Sequence, residues 1–92
     1  MQLLKAVIFS NQAAIFLIQK VWHKAEEKTT KALEIQKTVK SYFRRAQARV
    51  ELGDPTGALD DLHSAKKLEP TNEAVDEQIK IVKARRAEIF KK

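Results

Sequence analysis

The stretch from Val39 to Asn72 constrains this chain most, because its apolar and small residues recur at the spacing of a helix, a turn and a second helix. Val39, Tyr42, Phe43, Ala46 and Val50 follow the i, i+3, i+4, i+7 rule of an amphipathic helix. Gly53-Asp54-Pro55 then breaks the pattern: glycine takes the left-handed conformation that closes a helix, aspartate caps the next one, and proline suits its first turn. Ala58, Leu62 and Ala65 carry the second stripe, and Pro70 ends it by disfavouring helix at Glu69. The pattern also occurs upstream. Ala13, Ala25 and Ala32 stand 33 residues before Ala46, Ala58 and Ala65, within a copy that includes Ser10-Asn11-Gln12-Ala13-Ala14 and Trp22. Units of this kind cannot bury an apolar face alone and do so by stacking, so the repeat predicts an all-α fold.

The chain reads as one domain over 1–92, with a first repeat at 6–38, a second at 39–72 and a closing helix at 73–92. Helices are predicted at about 3–19, 22–35, 40–52, 55–68 and 73–91, forming two hairpins and a single final helix. The first repeat has Gln36-Lys37-Thr38 where the second has Glu69-Pro70-Thr71-Asn72, so its exit loop should be tighter. Thr71 or Asn72 can cap the last helix, and Glu73 complements its dipole. Only two glycines and two prolines occur, which leaves long runs of helix formers. The chain has no cysteine, which excludes disulfides and cysteine zinc sites and fits a reducing, cytoplasmic setting. The apolar run Ala13–Ile18 is too short to cross a bilayer, and no small-residue cleavage site follows a charged leader. Because the sequence opens inside a repeat helix, Met1 reads as an expression start and the chain as a fragment.

A polar stripe runs beside the apolar one: Lys40, Arg44, Gln47 and Glu51 lie three or four residues apart, so Lys40 and Arg44 project from adjacent turns onto one patch. Tyr42, Ala46, Ala58, Leu62, Ala65 and Pro70 match the 34-residue tetratricopeptide pattern. The chain departs from that pattern at Arg45, Ala46 and Arg49, where leucine, glycine and tyrosine are usual, and at Leu62, where phenylalanine is. It resembles the carboxyl-terminal repeats of co-chaperones with a carboxylate clamp, especially large immunophilins, which implies a right-handed α-solenoid of two hairpins with a capping helix. On that resemblance Lys40-Ser41-Tyr42-Phe43-Arg44-Arg45 matches a clamp segment, with Lys40 and Arg44 at its cationic positions and Asn11 at its asparagine, while Phe43 and Gln47 belong to the same peptide-binding face. The implied partner is the Glu-Glu-Val-Asp tail of the cytosolic ninety- or seventy-kilodalton heat-shock proteins. Two adjacent anions at such a chain end suit a lysine, a forked guanidinium and an amide donor. The family clamp takes two further groups from a preceding repeat that this sequence lacks. At roughly 1.5–3 kcal/mol for each charge-assisted contact, their loss weakens binding by one to a few orders of magnitude. An immunophilin parent would carry a prolyl isomerase domain upstream.

The remaining features point away from catalysis. Arg45 and Arg49 diverge from Arg44 and read as surface charges. His23 and His63 lie in different hairpins, without ligand spacing for a metal. Asp60 and Asp61 diverge on a helix, and Ser10 and Ser64 lack triad partners, so neither an enzyme nor a cofactor is expected. The net charge of +6 is spread over all segments without a stacking motif, which argues against nucleic acid. In the last helix Val75, Ile79, Val82 and Phe90 sit among Lys80, Lys83, Arg85, Arg86, Lys91 and Lys92, a basic amphipathic pattern that caps the second hairpin, with calmodulin as a weaker partner. The first helix is apolar nearly all round, through Ile15, Phe16, Leu17, Ile18, Val21 and Trp22. Trp22 is expected in the core. The others predict an alternative function, a homodimeric scaffold associating through Ile15, Ile18 and Val21, either side by side or by hairpin exchange.

Overall fold

The computed structural model describes residues 2–90 as five helices: α1 (Gln2–Ile18), α2 (Trp22–Ile35), α3 (Val39–Glu51), α4 (Pro55–Leu68) and α5 (Glu73–Phe90). Met1, Lys91, Lys92 and the Phe90 side chain, all invoked by the sequence reading, lie outside the described residues. The helices form two antiparallel hairpins and a capping helix, an all-α solenoid arrangement.

Both hairpin turns close in the same way. Gly53 has φ 83°, and the Asp54 N–H donates to the Arg49 carbonyl at 2.8 Å, the six-residue closure of a left-handed helix terminus. Lys20 holds the equivalent place in the first hairpin with φ 61°, and the Val21 N–H donates to the Phe16 carbonyl at 2.9 Å. Asp54 Oδ1 accepts from the Gly57 N–H at 2.9 Å with Pro55 in the first turn, Thr38 Oγ1 accepts from the Ser41 N–H at 3.1 Å, and Asn72 Oδ1 accepts from the Ala74 N–H at 3.0 Å. The short Gln36–Thr38 link therefore starts α3 with its own cap and needs no proline.

Fully buried Ala13, Ala25, Ala58 and Ala65 stand where helices cross, so backbones approach closely. The larger core side chains come mainly from the second hairpin and α5, with Leu33 added from α2: Val50, Leu59, Leu62 and Val82 gather around Ala46 in one cluster, and Leu33, Tyr42 and Val75 around Ala65 in another. Phe43 and Ile79 pack against both. Val75, Ile79 and Val82 are one stripe of α5, and their burial is what attaches the cap.

Two sequence expectations need correction. Arg45 and Arg49 are not surface charges. Arg45 grips Asp61, only 2% exposed, with Nε at 3.0 and 3.1 Å and Nη2 at 2.6 Å, while Arg49 Nη1 reaches the same carboxylate at 3.1 Å. Arg49 Nε also pairs with Glu26 of α2 at 2.8 Å, so the cluster ties α2, α3 and α4 together. These carboxylates hold the Arg49 charge in place against the burial that disfavours it. Trp22, expected in the core, is only partly buried and instead lines a cavity between α1, α3 and α5. It opens α2 directly after the Lys20 turn and faces the side of the core formed by Ala46, Val50, Leu62 and Val82 across that cavity.

Candidate functional site

The side of α3 away from Asp61 carries the residues singled out for peptide binding. Lys40, Phe43, Arg44 and Gln47 line a shallow hollow of about 420 Å³ with Val39, Glu69 and Ala74, open towards the start of α5. Lys40 also borders a second hollow of about 250 Å³, shared with Ser10, Asn11, Thr38 and Ser41. The two hollows meet at Lys40. Asn11 on α1 thus shares one hollow with Lys40, and Arg44 on α3 shares the other, with Asn11 and Lys40 both exposed. Glu51, the last member of the polar stripe, is diverted to Arg85 of α5 at 3.2 Å.

Arg44 is the best-defined group here. Its Nη1 donates to the Ser10 carbonyl and to Ser10 Oγ, both at 2.8 Å, and Ser41 Oγ donates to the same hydroxyl at 3.3 Å. Ser10 therefore aims the guanidinium. That role was not legible in the sequence, where Ser10 read as part of the repeated Ser10–Ala14 segment and as a serine without triad partners: it lies 34 residues before Arg44 and meets it only through the packing of α1 on α3. Burial lowers the Arg44 pKa from its ordinary value, since desolvation disfavours the charge. Among the described residues no carboxylate lies within ion-pairing distance of Arg44 or Lys40. The Nε and Nη2 edge of Arg44 has no protein acceptor among them either. Arg45 uses that very edge to hold Asp61, which shows what it does when a carboxylate is present.

Elsewhere the candidates stay apart. His23 and His63 are both exposed, and no group of three or more His, Cys, Asp or Glu stands close enough to hold a metal among the described residues. No described helix is long and apolar enough to cross a membrane. At the end of α1, Ile15 and Ile18 are 54% and 82% exposed and Val21 is half-buried.

Stacked hairpins with a polar patch on one face place the chain among helical-repeat proteins. No family model matches the sequence. It is similar to a stretch of protein unc-45 homolog B of Xenopus laevis, with 34% identity over 70 residues, covering 75% of this chain and 8% of that protein. A solved structure of the UNC-45 chaperone, described for features critical to binding and folding muscle myosin, superposes with a TM-score of 0.83 at 32% identity over 94% of this chain and 10% of that one. The chain spans about a tenth or less of the length of these proteins. Both likenesses support the helical repeat; neither points specifically to an immunophilin.

Proposed function

We propose that the chain is a protein-interaction module that holds the acidic carboxyl-terminal tail of a chaperone, of the Glu-Glu-Val-Asp type carried by cytosolic heat-shock proteins, through a partial clamp of Asn11, Lys40 and Arg44. The observation that carries this reading is the free fork of Arg44, a partly buried cation aimed by Ser10 and lacking the carboxylate that its neighbours Arg45 and Arg49 possess. Lys40 offers a mobile point charge beside it and Asn11 an amide donor. Phe43 and Gln47 line the hollow along which the preceding tail residues would run. The likeness to a chaperone with a large protein client agrees with an interaction role and with the expectation that this module is not an enzyme.

Titration of a Glu-Glu-Val-Asp peptide by calorimetry tests the proposal. Arg44→Ala removes a charge-assisted, two-point contact and should weaken binding at least tenfold, and amidating the peptide terminus should do the same. Indifference to both changes would reject the clamp.

The exposure of Ile15 and Ile18 favours a second reading, self-association through the end of α1 including Val21. Large apolar side chains grouped on one helix are usually covered by a partner.

A further inference from the structure

We infer that Glu69 gives the peptide-binding hollow a second sign, recognising a lysine or arginine two residues before the terminal acid of the tail; this rests on the clamp of Arg44 and Lys40. The internal repeat builds one hollow twice. Val7, Asn11 and Gln36 of the hollow beside α1 stand 33 residues before Lys40, Arg44 and Glu69 of the hollow beside α3. The pair Asn11 and Gln36 is neutral. Its counterpart, Arg44 and Glu69, is a cation and an anion, so the second hollow distinguishes charges that the first does not.

Arg44 and Glu69 line the same hollow, yet neither forms an ion pair among the described residues. Glu69 is nevertheless held in place. Pro70 disfavours helix at the residue before it, so Glu69 leaves α4 with φ −137° and ψ 82°. Asn72 Nδ2 then donates to Glu69 Oε1 at 3.0 Å, while Asn72 Oδ1 caps α5. The Oε2 edge meets no donor among the described residues. Opposite charges that share a hollow and leave each other unpaired are both satisfied by a ligand that carries both counter-charges. The hollow of about 420 Å³ spans about two residues of extended chain, and side chains two apart in such a chain point the same way. With the terminal acid at Arg44 and Lys40, the side chain two residues earlier reaches Glu69. A glutamate there meets like charge, whereas a lysine or arginine pairs with it.

The test is a calorimetric titration, at low ionic strength, of three peptides ending in Glu-Glu-Val-Asp, Glu-Gln-Val-Asp and Glu-Lys-Val-Asp. The lysine peptide should bind about fivefold more tightly than the glutamate peptide, with the glutamine peptide between them. The net charge of +6 by itself favours the opposite order, so the preference reports the local acid. Glu69→Gln should cancel the preference, Glu69→Lys should reverse it, and added salt should shrink it. Circular dichroism verifies that both variants fold. Equal affinities, tighter binding of the glutamate peptide, or a lysine preference that survives Glu69→Gln would overturn the role of Glu69 and leave the clamp standing, provided that Arg44→Ala weakens all three peptides. No binding of any peptide, or indifference to Arg44→Ala, would overturn the clamp and the role of Glu69 together.

Discussion

Replacing Arg45 with methionine examines the cluster that joins the two hairpins. Methionine keeps most of the apolar stem, so the change reports the loss of charge and hydrogen bonds rather than of packing. Three contacts to Asp61 vanish, at 2.6, 3.0 and 3.1 Å, while the carboxylate remains at 2% exposure with Arg49 Nη1 as its surviving ion-pair partner. Breaking a buried pair typically costs about 3–5 kcal/mol because the remaining charge is stranded. Since Arg49 stays, about 2–3 kcal/mol is the expected loss. For a domain of this size that lowers Tm by roughly 10–20 °C, and it consumes a large part of a total stability on the order of 5–10 kcal/mol. Urea unfolding followed by circular dichroism measures it, with an unchanged m-value showing that the native state keeps its compactness. Lys67→Met, at an exposed position of α4, serves as the control and should stay within about 0.5 kcal/mol. Adding Asp61→Leu to Arg45→Met should recover part of the loss, because the stranded charge is removed along with its partner. A loss from Arg45→Met no larger than the control's would refute the reasoning, since it would mean that water or Arg49 alone satisfies the Asp61 carboxylate in solution.

Further predictions concern the turns and the end of α1. Gly53→Ala should cost about 1 kcal/mol at its φ of 83°, whereas Lys20→Gly at the equivalent turn should gain about 0.5–1 kcal/mol, both read by thermal unfolding; the same sign for both would contradict the shared closure. If the chain self-associates, Ile18→Lys with Val21→Lys should give a folded species of monomer mass by light scattering, and an unchanged mass would remove that reading.

The helices, their pairing into hairpins and their ends are legible from residue pattern alone. Capping, left-handed closure and proline chemistry are local, so Gly53-Asp54-Pro55 and Pro70 mark their boundaries without reference to the rest of the chain. The repeated alanines at 13, 25, 46, 58 and 65 likewise announce close helix crossings, because only small side chains fit there. That Lys40 and Arg44 share a patch is helical periodicity alone. Which cations are free was decided only by the tertiary structure: Arg44 and Arg45 are adjacent and chemically identical, yet one meets a serine from α1 and the other a buried aspartate from α4. Lys20 in a glycine's place was likewise hidden, since the residue opposes the conformation that the packed hairpin imposes. Ion pairs across hairpins join residues far apart in sequence, and no local spacing encodes them; the stacking of α3 between α2 and α4 brings Glu26, Arg49, Asp61 and Arg45 together and leaves the fork of Arg44 facing outward.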